Sequence, residues 1–285
     1  MSSAGGAVPT IAVCMKWVDR RVDADVVLQT ALPDERFAGV SASDQAALEW
    51  ALRCRDGWGA EVVAVTVGPA AAESVLRDAM AAGADRAMRV DLPFDAPSRV
   101  VAVALAAVVA DAHTVWCGDA SFDRGTGSVP AFLAGALGVA QALGLVAVDL
   151  PTSGDQPIGA LRRLDGGRRE RLSIDGRAVI SVEGSTALLR RAPLRGLLSK
   201  PPIEIATVPT PMPSSTTSGH THDARPYRPR ARTFAPPAGA TALERIKALT
   251  SAGSAPATHG DSVTLDPPAA AERILSALAE WGYLP

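Results

Sequence analysis

The residues best suited to chemistry in this sequence lie in one loop, Gly118 to Ser128 (Gly-Asp-Ala-Ser-Phe-Asp-Arg-Gly-Thr-Gly-Ser). Glycines at 118, 125 and 127 let the backbone approach a ligand closely and adopt positive φ. Thr126 and Ser128 stand just before a helix expected from Val129, whose free N–H groups and positive dipole end favour an anion such as a phosphate. Asp123 is placed to accept hydrogen bonds from a ribose or to orient the loop. The spacing is neither the Gly-Lys-Ser/Thr of a Walker A loop nor the G-x-G-x-x-G dinucleotide fingerprint after a first strand. Two readings therefore stay open, a phosphate cradle and a glycine-rich turn that binds nothing.

Three expected strands end in unusual residues: Cys14-Met15-Lys16, Val65-Thr66-Val67-Gly68-Pro69 and Cys117-Gly118-Asp119. In an open parallel sheet, ligands sit beyond the carboxyl ends of the strands where strand order reverses, so these tips are the default pocket. Lys16 either neutralises a phosphate there or is an ordinary exposed strand-end lysine. Cys14 and Cys117 read as small apolar packing residues, since no histidine is placed to activate either thiol. Asp19, Asp23 and Asp25 read as a solvated acidic loop, and Trp17, Trp50, Trp58 and Trp116 as core or partner-facing residues. No Ser/His/Asp set and no paired carboxylates are evident, so catalysis by the chain's own side chains is not supported. His113, His220, His222 and His259 are scattered and no C-x-x-C pair occurs, so no metal site is expected.

The elements that must hold these residues alternate along the chain. Apolar, β-branched runs cover Ile11 to Val18, Glu61 to Val67, Ala87 to Val90, Thr114 to Cys117 and Val146 to Leu150. Helical patterns cover Ser43 to Arg55, Ala71 to Ala82, Pro97 to Asp111 and Val129 to Leu137. The alternation predicts βαβ units, a mostly parallel Rossmann-like sheet, and helices on both faces. Ser41 or Ser43 is suited to cap the first helix, which presents Ala47, Leu48, Ala51 and Leu52 inward. Gly83 stands where a left-handed C-cap is expected, and Pro97 where a helix begins. After Pro151, short strands at 161–164, 169–174 and 178–182 joined by Asp-Gly turns predict an antiparallel meander added to the sheet.

From about Ala206 to Pro237 the chain is rich in Pro, Ser, Thr and Arg and reads as an extended arm or linker. Two helical patterns follow, Thr241 to Thr250 with Leu243, Ile246 and Leu249, and Pro268 to Trp281 with Ile274, Leu275, Leu278 and Trp281. Neither buries its apolar stripe alone, so each is expected to dock on this domain or on a partner. The organisation is then 1–205 nucleotide-binding domain, 206–237 arm, and 238–285 helical tail.

Composition narrows the function classes. With 285 residues, 47% of them hydrophobic, the chain is able to bury one good core or two small ones. A net charge of −2 and a pI near 6.1 argue against a general affinity for nucleic acid. Three cysteines without a pairing pattern suit a reducing cytoplasm. Met1 to Val8 has no basic start followed by an apolar core, so no signal peptide is expected. Ala131 to Val148 is apolar and nominally long enough to cross a bilayer, but Gln141 and glycines 135, 138 and 144 make it a helix, a turn and a buried parallel strand. A soluble protein without membrane insertion is expected.

Residues Pro9 to about Pro209 resemble the beta subunit of electron transfer flavoprotein. The family's V-K-x-V-P-D is matched by Met15-Lys16-Trp17-Val18-Asp19 without the proline, and its N-P-x-D/E-x-x-A-L-E-E-A-L by Ser41 to Leu52, with Ser41-Ala42 in place of Asn-Pro. A strand ending in Gly68-Pro69 follows. The most specific match is Leu76 to Ala87, which follows the family's L-R-x-A-L-A-x-G-A-D-R-A nearly residue for residue. The adenylate loop G-x-Q-A-x-D-G-D-T-x-Q-V corresponds to Gly118 to Val129, where Gly125 replaces the second carboxylate and Ala120 and Ser128 replace the glutamines.

The resemblance implies an adenine nucleotide alpha hydrolase-like fold and a non-catalytic electron-carrier subunit. Such a subunit pairs with an alpha subunit that binds most of the FAD, and carries electrons from an acyl-CoA or other redox dehydrogenase toward the respiratory chain. AMP would be a structural ligand, with Cys14, Lys16, Ser41, Asp44, Val67, Gly118, Asp123, Gly125, Thr126, Gly127, Ser128 and Val129 as the cofactor-binding set. A second FAD in that pocket, as in electron-bifurcating relatives, is a further option. The recognition loop R-Y-x-x-L-P-x-I is similar to Arg190 to Leu197, with Leu194 as anchor beside Arg191 and Arg195. Between Thr186 and Arg232, eight Lys or Arg against two acids would steer an acidic partner or simply solvate the arm. The long tail ending Trp281-Gly-Tyr-Leu is similar to a divergent actinobacterial branch associated with mycofactocin. The altered loop leaves one alternative, a nucleotide-sensing or scaffold module of this fold without a redox role.

Overall fold

The computed structural model describes residues 8–20, 35–208, 239–251 and 263–281. The chain divides into two units, Met1–Tyr227 and Arg228–Pro285. The first unit is built on a nine-stranded sheet. Its strands are β1 (Thr10–Cys14), β4 (Glu61–Val67), β5 (Arg86–Val90), β6 (Thr114–Gly118), β7 (Ala140–Asp149), β8 (Ile158–Arg163), β9 (Arg169–Ile174), β10 (Ala178–Val182) and β11 (Glu204–Ala206). β2 (Val18–Asp19) and β3 (Ala38–Gly39) form a separate antiparallel pair. The order across the large sheet is β11-β5-β4-β1-β6-β10-β7-β8-β9. All pairings from β11 to β7 are parallel, and β7-β8 and β8-β9 are antiparallel.

Alternation of side chains along the strands creates two cores. Ile11 and Val13 of β1 face a cluster with Leu48 and Leu52 of α1 (Ala42–Trp58) and Leu76 of α2 (Glu73–Ala82). Ala12 and Cys14 face the opposite cluster, with Leu105 of α3 (Ser98–Val108) and Leu133 of α4 (Ser128–Leu137). From β1 the chain runs through α1 to β4 and through α2 to β5; α3 then leads back to β6 on the far side of β1. Strand order therefore reverses between β1 and β6, and there the helices change face.

Helix limits follow local chemistry. Ser41 caps α1, its hydroxyl accepting the Asp44 N–H at 3.1 Å, and Gly59 closes the helix in the left-handed region at φ 69°. The four expected inward residues of α1 are all fully buried, and Ser43, Asp44, Glu49 and Cys54 are buried too, so α1 is enclosed on most of its circumference. Gly83 follows α2 with φ 124°, and Pro97 immediately precedes α3.

Three expectations need correction. The first strand stops at Cys14 instead of continuing to Val18, because the N–H of Lys16 is drawn off by Asp44. β7 runs from Ala140, six residues earlier than expected, and is half-exposed over most of its length instead of buried. The strand 178–182 is not the third member of a meander. As β10 it inserts, parallel, between β6 and β7. Its five residues are all buried, so both faces need cover, which a central parallel position provides and an edge does not. The hydroxyl of Ser181 in β10 accepts the N–H of Gly144, where β7 bends with φ 65°.

Residues 204–206 form the edge strand β11 against β5, so the sheet still has an edge strand where the arm was expected to begin. Most of that expected arm lies outside the described residues. In the second unit, α6 (Ala242–Ser251) and α7 (Pro267–Glu280) occur where the periodicity predicts them. Asp266 caps α7, accepting the Ala269 N–H at 2.9 Å. Leu243, Ile274, Leu275 and Trp281 are exposed; the side chain of Leu249 lies outside the described residues. Among the described residues no helix is long and apolar enough to cross a membrane.

Candidate functional site

The strand-order reversal opens a cleft at the carboxyl ends of β1, β4 and β6. It is lined by Cys14 to Trp17, by Val65 and Val67 to Pro69, and by Gly118 to Ser121, so the three expected tips do converge. Thr126, Gly127, Ser128 and Val129 at the start of α4 also line it. Two parts of the wall had no counterpart in the sequence reading: the segment after β5 (Pro93, Phe94, Ala96, Ser98) and the buried side of α3 (Val101, Leu105). The carboxyl-end rule reaches the segment after β5 if applied to a fourth strand, whereas α3 carries no polar signal.

Asp44 ties the cleft together. One carboxylate oxygen accepts the N–H of Lys16 at 3.1 Å and the other the N–H of Gly118 at 3.2 Å, joining the ends of β1 and β6 to the first turn of α1. Gly118 is required by this approach: a Cβ there would stand 2.5 Å from the Asp44 carboxylate and 2.8 Å from its backbone nitrogen. Ser41 lies behind the cleft as the helix cap, and Ser43 donates to the Ala120 carbonyl at 3.0 Å.

Burial pushes the Asp44 carboxyl up to about 7, against the pull of the two backbone N–H groups and the Lys16 charge. The folded state therefore holds this proton more tightly than the unfolded chain does. The contribution is fully present at acid pH and falls as pH rises from about 4 to about 7, by up to about 1.4 kcal/mol per pH unit. Asp44→Asn should remove that slope. Urea denaturation of both proteins across this range is the check, and parallel stability curves would overturn the assignment.

Lys16 is not a free strand-end lysine. Its ammonium meets Asp123 at 2.5 Å and lies 3.5 Å from the Ser121 hydroxyl, which itself donates to Asp123 at 2.6 Å. Burial works to raise the Asp123 carboxyl, but the hydrogen bonds from Lys16 and Ser121 outweigh it and hold Asp123 below the usual carboxylate range. Asp123 thus orients the loop. Gly125 (φ 59°) and Gly127 (φ 56°) are both left-handed, and a Cβ on Gly127 would stand 2.4 Å from the Asp119 carbonyl oxygen. No side chain caps α4 at Gly127, and the Thr126 and Ser128 hydroxyls sit 2.9 Å apart beside its first N–H groups. Arg124, also on the wall, donates to the carbonyls of Ala96 and Asp95 at 3.1 and 2.8 Å.

Cys14 and Cys117 are register partners on β1 and β6 and are both buried. Contact with Cys14 and burial push the Cys117 thiol well above its ordinary value, so it stays protonated and packs. Among the described residues, no group of three or more His, Cys, Asp or Glu side chains gathers as a metal ion would require.

The expected recognition loop lies apart from these lining residues. Arg190 runs along α1, where its backbone N–H and guanidinium hold the buried Glu49 carboxylate at 3.0 to 3.2 Å and its guanidinium reaches Asp56 at 2.7 Å. Arg190 therefore leaves the basic surplus, its charge being spent inside the chain. α5 (Leu194–Leu198) packs on α2, with Gly196 against the Ala81 carbonyl, and Leu194, Leu197 and Leu198 point outward at 58 to 73% exposure. Arg191 and Arg195 are exposed beside them.

The family model for the electron transfer flavoprotein domain matches residues 34–207, the stretch that carries this sheet and cleft. This chain belongs to the electron transfer flavoprotein family, on its beta-subunit side. The chain is 31% identical over 166 residues to Protein FixA of Bradyrhizobium diazoefficiens, covering 54% of this chain and 58% of that relative. It is 30% identical over 194 residues to Protein FixA of Sinorhizobium fredii, covering 63% of this chain and 67% of the relative. The matched region thus spans 58 to 67% of the length of these curated relatives. The segment matched by the family model ends at 207, just past β11, so the second unit lies beyond it.

Proposed function

We propose that this chain is the beta-like subunit of an electron carrier. It pairs with an FAD-binding alpha-like subunit, carries electrons from a dehydrogenase toward the respiratory chain in the cytoplasm, and holds AMP in the cleft as a structural ligand. The observation that carries the reading is the cleft itself, in a member of this family. Val65, Val67, Phe94, Val101 and Leu105 supply an apolar end suited to a purine. The Thr126 and Ser128 hydroxyls and the uncapped start of α4 supply a polar end suited to a phosphate. Gly118 and Gly127 leave room where a Cβ would close on the backbone.

FAD, when bound, supplies the electron-transfer chemistry; this chain supplies surfaces and the adenylate site. On α4, Ala131, Phe132, Gly135 and Ala136 are exposed, and β7 beside it is half-exposed. Apolar surface of this kind on a lone subunit supports a permanent partner, and the small residues allow close approach. Leu194 with Arg191 and Arg195 would meet the dehydrogenase, the leucine docking and the arginines steering.

The test is co-expression with an alpha-like subunit from the same organism, purification, acid denaturation and mass spectrometry of the released nucleotides. One FAD with one AMP per heterodimer is expected. FAD alone would remove AMP from the reading. A colourless chain that fails to pair would overturn the carrier and favour a nucleotide-sensing or scaffold module.

A further inference from the structure

The cleft holds a cation, Arg124, that no carboxylate among the described residues compensates. Lys16 is neutralised by Asp123, Arg89 by Glu73 and Asp91, and Arg190 by Glu49 and Asp56. Arg124 differs. Among the described residues no carboxylate stands within ion-pair distance of its guanidinium, and both of its bonds go to neutral carbonyls, those of Asp95 and Ala96. Those partners lie 28 and 29 residues away in the chain, so Arg124 fastens the α4 loop to the segment after β5. Arg124 and Ala96 both line the cleft, together with Thr126, Gly127 and Ser128.

A guanidinium has five N–H donors in a planar fork that suits phosphate oxygens, and its bonds to an anion are about twice as strong as bonds to neutral carbonyls. A phosphate in the polar end of this cleft therefore competes favourably for donors that the carbonyls hold.

We propose that Arg124 is the phosphate-reading residue of this cleft, a specificity determinant that favours a phosphorylated adenine nucleotide over the nucleoside. The inference rests on the nucleotide-binding reading above and deepens it. It stands on the placement and uncompensated charge of one side chain.

The full-length chain suffices for the test, because every lining residue is its own. Affinities for AMP and for adenosine are measured by calorimetry on the wild type, Arg124→Gln and Arg124→Lys, with thermal denaturation as a folding control. Arg124→Gln keeps a donor for the carbonyls but removes the charge. It should weaken AMP by about tenfold or more and leave adenosine within about twofold. Arg124→Lys should fall between, since a point charge replaces the fork. Equal losses for AMP and adenosine, or no loss for either, would overturn the role of Arg124 while leaving the nucleotide site standing. A wild-type chain that binds neither compound would instead remove the nucleotide reading, and Arg124 with it.

Discussion

Gly118→Ala should lower the affinity of the cleft for adenine nucleotides by about tenfold to a hundredfold and destabilise the fold by about 2–4 kcal/mol. The cause is steric. The new methyl would stand 2.5 Å from the Asp44 carboxylate, 2.8 Å from the Asp44 nitrogen and 2.9 Å from the Ser43 carbonyl carbon, all on the buried first turn of α1. Nothing there is the loose end of a flexible side chain, so α1 and β6 must part. Parting them breaks the Gly118 N–H bond to Asp44 and shifts the carboxylate that also holds Lys16. Gly125→Ala is the contrast. Its φ of 59° imposes strain, but the nearest atom to a new Cβ is 3.7 Å away, so the cost is confined to about 1–2 kcal/mol of left-handed backbone. Calorimetric nucleotide titration and urea denaturation of the two variants side by side are the check. If Gly118→Ala proved no worse than Gly125→Ala, Asp44 would not be the joint between the strand tips.

Trp116→Ala should cost about 3–5 kcal/mol, a large part of the roughly 5–15 kcal/mol that keeps a domain folded. Trp116 is fully buried on β6, between β1 and β10, and donates its indole N–H to the Thr114 hydroxyl at 3.1 Å. Its ring stacks on Trp50 of α1 at 6.3 Å, and the Arg53 guanidinium lies over the Trp50 ring, 4.6 Å from its centroid. Trp50 is itself fixed by its N–H bond to the Thr186 hydroxyl, at the root of the segment that leads to Leu194. Removing the indole thus opens a cavity in the layer that ties α1, the central strand and the segment before α5 together. Equilibrium denaturation monitored by circular dichroism measures the loss; a change below about 1 kcal/mol would mean that this layer is loosely packed.

The exposed leucines of α5 and the bare face of α4 have a common physical meaning. A chain that buries Trp116, Leu48 and Leu133 completely yet leaves Phe132, Leu194, Leu197 and Leu198 in water is not short of ways to hide apolar groups. In the proposed electron carrier these exposed positions are the surfaces that meet a partner. The Arg190 clamp on Glu49 presents the segment before α5 at a fixed place along α1, so the leucines are offered on a braced support.

The sequence by itself determined the features that depend on near neighbours. A serine cap for α1 at 41 or 43, Gly83 ending α2, the parallel run of strands, and the meeting of the tips at Lys16, Val67 and Gly118 all follow from caps, periodicity and the alternation of elements. What only the tertiary structure decided depends on which side chains meet across the fold. Lys16 finds Asp123 at 107 residues' separation, Gly118 finds Asp44 at 74, and Arg190 finds Glu49 at 141. The same holds for β10, whose apolar run is compatible with an added meander until burial on both faces draws it between β6 and β7. The physical reason is range: caps and turns are settled within a few residues, whereas counter-ions, cleft walls and strand order are set by packing among segments that the chain alone leaves far apart.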